Sequence, residues 1–228
     1  MKYRYLVGLA IFALTSGNLV MAATPTEIAQ KITWYGQSSV RIAAGGKIIW
    51  IDPIFIATPE KADIVLITHS HTDHYNYQAI ERLGPPPVLI GGFDIPGGVR
   101  MFPGETKVFD GITIRTVPAY NLKRDYHTKE SKNVGYLITV EGVTIYLPGD
   151  TERIPEMKDF KCDIAFMPLG QTYTMRSVDD AIAAVLDVGA SIAFPYHWGQ
   201  NEGKKKDAVK FVEALKSQGV DASLLISN

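Results

Sequence analysis

Residues 63–75, DIVLITHSHTDHY, constrain this chain more than any other stretch. DIVLIT (63–68) is a continuous apolar run rich in β-branched residues. It lacks the polar alternation of a strand with one wet face, so it reads as a strand covered on both sides. Such a strand needs a sheet with further layers above and below it. The run leads directly into His69-Ser70-His71-Thr72-Asp73-His74, which holds three of the five histidines in the chain. The cluster therefore leaves the C-terminal end of a buried strand, ahead of a short helix read in YNYQAIERLG and ending at Gly84.

Imidazole and carboxylate groups at this spacing suit Zn2+, Mn2+ or Fe2+. In an extended turn, alternate residues place His69 and His71 on one metal, while Asp73 and His74 diverge towards a second. The plainer alternative is a polar loop whose histidines cap a strand end; three histidines and an aspartate in six positions weigh against it. Two later residues occupy similar positions. Asp150 ends IYLPGD, after the strand 143–147, and His197 ends AFPYH, after the strand 191–196. Singly, Asp150 reads as a helix N-cap and His197 as a half-buried ring beside Trp198. Together they matter more, because three buried strands each deliver a potential ligand at the C-terminal end, where α/β arrangements place their sites.

The rest of the chain shows how such strands are layered. KITWYG (31–36), SVRIA (39–43) and KIIWID (47–52) form a meander broken by glycine turns, and PPPVLIGG restarts extended structure after a proline stop. The second half repeats the plan. Hairpins turn at Asp110-Gly111 and Glu141-Gly142, and DIAFMPLG (163–170) parallels DIVLIT. Two amphipathic helices follow. One starts at Ser177 as N-cap, with Asp180 three positions on. The other carries Val209, Phe211, Val212 and Leu215 on one stripe and stops at Gly219. Two runs of antiparallel strands, each followed by strand–helix alternation, imply an α+β chain with two packed sheets and helices outside, an αββα sandwich. The polar segment 121–133, NLKRDYHTKESKN, has no periodicity and is long for a connection, as lids and disordered loops are.

The N-terminus is distinct. A basic MKYRY precedes the apolar LVGLAIFAL (6–14), and Val20-Met21-Ala22 fits a small-x-Ala processing site, so residues 1–22 read as a signal peptide and 23–228 as a single domain. The apolar run falls short of the ~20 residues of a membrane span, so no stable membrane insertion is expected after cleavage. A retained anchor is the alternative. The expected location is periplasmic or secreted. The single cysteine, Cys162, leaves the fold without an internal disulfide; at the N-terminal end of strand 163–168 it reads as a small buried hydrophobe. A formal net charge of −1 gives no electrostatic footprint for nucleic acid, and the partner expected is a small-molecule substrate. Trp34 and Trp50 read as core residues, and Tyr173 and Met175 as candidates to line a pocket.

With these residues in view, the chain resembles the metallo-β-lactamase superfamily. The motif His-x-His-x-Asp-His stands at His69–His74, and the later family ligands match Asp150 of GDT and His197 of PYHWG. PAYN, GDTERIPEM and MPLGQTYTM look like its small metal-dependent hydrolases, a group that includes ascorbate-phosphate lactonase-like proteins. The resemblance implies a four-layer αββα sandwich, two zinc ions (Mn2+ or Fe2+ being alternatives) with Asp150 between them, and Asp73 and Asp150 as catalytic carboxylates. It also implies hydrolysis of a small ester, lactone or phosphodiester by a metal-bound hydroxide, with the two metals about 3.5–4 Å apart. One departure stands out. The family supplies a further histidine where this chain has Asn121, and the next histidine is His127. Either His127 folds back to complete the metal begun by His69 and His71, or Asn121 contributes weakly, or that site is incomplete. A β-lactamase, or a non-catalytic periplasmic metal- or substrate-binding protein on the same fold, are the rival readings. The oligomeric state is not legible.

Overall fold

The computed structural model describes residues 22–200 and 202–225. All but the last residue of the expected signal peptide lies outside this range. Among the described residues, thirteen strands form two sheets. In the first sheet, β1 (Ile32–Trp34), β2 (Val40–Ala44) and β3 (Lys47–Ile51) are antiparallel neighbours. Next to β3 run β4 (Ile64–Ile67), β5 (Val88–Gly91) and β6 (Val99–Arg100), all parallel. The second sheet follows the same scheme. Its antiparallel part is β7 (Thr106–Phe109), β8 (Ile112–Pro118), β9 (Val134–Val140) and β10 (Val143–Leu147). Its parallel part continues from β10 through β11 (Ile164–Pro168), β12 (Ile192–Tyr196) and β13 (Asp221–Ala222). Both hairpin turns read from the sequence are present, with Asp110-Gly111 and Glu141-Gly142 all at positive φ, as a tight two-residue turn requires.

Strand periodicity explains the layers. On β4, Ile64 and Leu66 point between the sheets, while Val65 and Ile67 point to the outer face under α2 (Tyr77–Arg82). On β11 and β12, Ile164, Phe166, Ile192 and Phe194 fill the space between the sheets. Their alternates Ala165, Met167 and Ala193 face α3 (Val178–Val188) and α4 (Lys205–Ser217). Alternation survives, but both faces are apolar, because each side is covered. Alanines on the helix-facing side allow close approach of the helices. Each large aliphatic side chain so buried contributes about 1.5–3 kcal/mol relative to exposure. The four-layer sandwich expected from the sequence is the fold observed.

Local details mostly follow the sequence reading. Ser177 accepts a hydrogen bond from the Asp180 amide at 3.0 Å and caps α3. The stripe of α4 is shifted: Ala208, Phe211 and Leu215 are its buried residues, whereas Val209 and Val212 are only half-buried. A small residue faces the sheet where the larger valine was expected. A short helix α1 (Pro25–Ala29), with a Thr24–Glu27 capping box, and the two-residue strands β6 and β13 carry too few residues for a periodic signal. Cys162 is buried and free, and Trp34 and Trp50 are core residues.

Candidate metal centre

The polar groups gather where strands end. Asp52 follows β3, Thr68 and His69 follow β4, Asp150 follows β10 after a Pro-Gly turn, and His197 follows β12. All lie at C-terminal ends of strands that have a parallel neighbour: β3 beside β4, and β10 and β12 beside β11. The first sheet thus presents the histidine motif, and the second presents Asp150 and His197 across the seam. Gly149 permits this approach: its φ is +67°, and a Cβ there would stand 2.9 Å from the Thr68 Cβ.

Two groups of ligand atoms result, each within 4.8 Å of one another: His69, His71 and His127; and Asp73, His74, Asp150 and His197. Within the motif, the amides of His74 and Tyr75 donate to the His71 carbonyl at 2.9 Å and 2.8 Å. That turn reverses the chain and separates His69 and His71 from Asp73 and His74. In the first group the His127 Nε2 lies 2.9 Å from the His71 Nδ1. In the second, the Nε2 atoms of His74 and His197 are 3.1 Å apart. Asp150 faces both. Its Oδ1 is 3.1 Å from the His74 Nε2 and 3.2 Å from the His197 Nε2, while its Oδ2 is 3.7 Å from the His127 Nε2 and 4.0 Å from the His69 Nε2.

Three of the rings, His74, His127 and His197, have a partner behind the Nδ1 atom. The His74 Nδ1 donates to the Asp52 carboxylate at 2.8 Å, which leaves Nε2 to face the site. The same Asp52 accepts from the Thr68 amide and hydroxyl, both at 2.8 Å. The His197 Nδ1 stands 3.3 Å from the Glu202 carboxylate, and the His127 Nδ1 3.3 Å from the Tyr173 carbonyl. Gln37 donates to Asp73 at 3.1 Å. Among the described residues, seven non-glycine residues have positive φ, and Gln37, Asp52, His127 and His197 are four of them. Backbone strain gathered at one place is a mark of function.

The ionisation of the groups follows from burial and charge. Burial pushes His69 well below the usual imidazole range, and burial likewise lowers His127. Both are therefore neutral donors at pH 7. Burial would also lower His197, but Asp150 and Asp73 outweigh it and raise the ring to about 9. His74 is raised in the same way by Asp150 and Asp52. Burial opposes ionisation of Asp150, yet His197 and His74 hold its carboxyl well below the ordinary range.

This donor set suits divalent cations. The His69 Nε2 and the Asp150 Oδ1 are buried without a hydrogen-bond partner, and facing ring nitrogens some 3 Å apart cannot all satisfy one another. A tetrahedral cation holds nitrogens at about 2.0–2.1 Å and so needs such convergence.

The sequence-stated candidates separate at one point. Asn121 stands beside the first group, its side-chain nitrogen 3.4 Å from the His127 Nδ1. It fastens the loop there: its amide nitrogen donates to the carbonyls of Tyr126 at 3.1 Å and Tyr173 at 2.9 Å, and its backbone amide donates to the His127 carbonyl at 2.7 Å. The segment 121–133 is thus a packed loop that delivers the buried His127, with a short 3-10 turn at Lys129–Ser131. Tyr173 lines the cavity over the site, but Met175 is fully buried in the helix-side core. Sequence reasoning missed Gln37, Asp52, Glu202 and Tyr126. Asp52 ends a buried strand as Asp150 nearly does, and that parallel could have found it. Gln37 and Glu202 sit in turns without any such signal.

Comparison with known proteins agrees with this geometry. Residues 31–197 match the beta-lactamase superfamily domain, and the chain belongs to that superfamily. A metal-dependent hydrolase of Nitratidesulfovibrio vulgaris is 30% identical over 224 residues, spanning 85% of this chain and 90% of its own length. One from Geobacillus thermodenitrificans is 31% identical, spanning 81% of this chain and 92% of its own length. A crystal structure of a protein assigned as a metal-dependent hydrolase, from Parabacteroides distasonis, superposes with a TM-score of 0.75 at 33% identity, covering 85% of this chain and 91% of that one.

Proposed function

We propose that this chain is an exported metal-dependent hydrolase that holds two divalent cations, zinc in the first instance, and cleaves a small ester, lactone or phosphodiester. One observation carries the reading: the Asp150 carboxylate turns one oxygen to each group, with Oδ1 at 3.1 Å and 3.2 Å from the rings of His74 and His197, and Oδ2 at 3.7 Å from that of His127. His69, His71 and His127 would hold one cation and Asp73, His74 and His197 the other, with Asp150 between them. When bound, such a pair brings water to nucleophilic form near neutral pH and polarises the substrate oxygen.

The chain's own residues do the remaining work. Asp52, Glu202 and the Tyr173 carbonyl fix the tautomer and direction of three imidazoles, so that every Nε2 faces inward without reorganisation. Asp73 stands partly exposed in the cavity, with Gln37 holding its carboxylate. The place of His127 beside His69 and His71 supports the catalytic reading over a non-catalytic binding protein, because it offers a third imidazole to the first group. Residues 1–22 would direct export to the periplasm, and the N-terminus of the native protein should then begin after Ala22 or Ala23.

The test is metal content measured together with turnover. About two metal ions per chain, with ester or phosphodiester hydrolysis lost on chelation and restored by Zn2+, is the expected outcome. A chain that binds one ion or none and turns over no ester would fit the binding-protein reading instead. Rapid nitrocefin hydrolysis would favour a β-lactamase.

A further inference from the structure

The cavity above the centre, about 370 Å³, says more about its substrate than the metal ligands do. Among the described residues, no lysine or arginine lines it. Its carboxylates are Asp73, Asp150 and Glu202, the last buried behind the His197 ring. Two divalent cations bring four positive charges. These three carboxylates offset three of them, and Asp52 behind His74 offsets the fourth. An anionic substrate would meet no surplus positive charge and no cationic side chain to pair with.

Arg124 stands behind the cavity wall, its guanidinium carbon 5.9 Å from the centre of the Tyr126 ring, and its donors are taken up by the loop. It donates to the carbonyls of Thr174 at 2.9 Å and Gln171 at 3.0 Å, and its Nε lies 3.3 Å from Glu152. It holds the 171–174 turn in place rather than reaching into the cavity.

That turn presents aromatic surface. Tyr126 and Tyr173 both line the cavity, with ring centroids 5.3 Å apart and planes inclined at 59°. They remain 37% and 48% exposed, although neither sits on a loose segment. The Tyr126 hydroxyl donates to the Thr172 carbonyl at 2.6 Å, and the Tyr173 amide donates to Glu202 at 3.1 Å. Two aromatic rings fixed at the mouth of a polar centre offer an apolar group a surface at little entropic cost.

Building on the hydrolase reading, we propose that the substrate is an uncharged carboxylic ester or lactone whose aryl or short apolar group packs on Tyr126 and Tyr173. Phosphodiesters and phosphorylated lactones are excluded. In the reaction the oxygen of water bonds to the acyl carbon and the acyl C–O bond breaks. One proton of water passes to the departing alkoxide, and the other leaves the new carboxylic acid for solvent.

The test compares four probes on the metal-loaded protein: dihydrocoumarin, phenyl acetate, bis(4-nitrophenyl) phosphate and 6-phosphogluconolactone. Dihydrocoumarin should exceed both anionic probes in kcat/KM by about 100-fold or more. Tyr173→Ala should raise KM for dihydrocoumarin about tenfold while lowering kcat far less, and Tyr173→Phe should restore it. Tyr173→Arg should shift preference towards the phosphorylated lactone. Independently of turnover, saturation-transfer NMR on the metal-free chain should show the aryl protons of phenylacetamide in contact with the protein, and Tyr173→Ala should remove that signal. Faster turnover of either anionic probe, or no contact with phenylacetamide, overturns this assignment and leaves the hydrolase reading standing. No turnover of any of the four by protein carrying two metals overturns both.

Discussion

Asp150 and His127 have different duties, and their substitution should separate the two cation groups. His127 touches only the first group, so His127→Ala should release about one metal ion per chain and leave the second bound; metal analysis after gel filtration checks this, and unchanged stoichiometry would return the role to some other residue. Asp150 serves both, so Asp150→Ala should deplete both ions and abolish turnover in the same assay. At this scale the sequence was informative where a ligand follows a buried strand directly. His69, His71, Asp73 and His74 follow β4, Asp150 directly follows the Pro148-Gly149 turn after β10, and His197 directly follows β12. His127 was harder to place, because an irregular loop has no period from which its path can be read. Only the Asn121 hydrogen bonds, formed across the fold to the Tyr173 carbonyl, show how it turns inward. Gln37 and Glu202 were invisible for the same reason: they act through contacts with residues far away in the chain.

Among the elements, the strand ends carry the tightest requirement. Gly149 lets the β10 end pass against Thr68, so Gly149→Ala places a Cβ 2.9 Å from the Thr68 Cβ and forces a left-handed backbone on alanine. A loss of about 1–3 kcal/mol in urea denaturation is expected, together with weakened metal binding, since the shift moves Asp150 directly. A fully stable variant with normal metal content would show that the turn yields more easily than its packing implies. The elements themselves were legible because period-2 patterns and turn glycines are local signals. The misplaced stripe of α4 was not, since choosing Ala208 over Val209 depends on how closely the helix approaches β12 and β13, which local sequence does not state.

At the level of the whole molecule, the core and the centre contribute separately to stability. The three apolar clusters are continuous without the metal ligands, so chelation should lower Tm without unfolding the chain at 25 °C. Calorimetry with and without EDTA checks this, with a shift that grows as free metal rises above its Kd. A second probe reads the core directly. Burial pushes the Cys162 thiol up to about 12, so at pH 8 it is protonated as well as inaccessible. Iodoacetamide should label it at a negligible rate in the native protein and stoichiometrically in urea; fast labelling of the folded chain would contradict the packing of the helix-side layer. The layer order itself was readable from the sequence, because two similar runs of strands followed by strand–helix alternation leave few other ways to bury so many apolar faces.

The seam between the sheets has one more consequence. Each cation group draws on both halves of the chain: His69 and His71 stand with His127, and Asp73 and His74 stand with Asp150 and His197. If the backbone were cut between β6 and β7, neither fragment would own a complete set of ligands. Metal capture by the mixed fragments would then report their reassociation, which makes the centre a built-in sensor for complementation of the two halves.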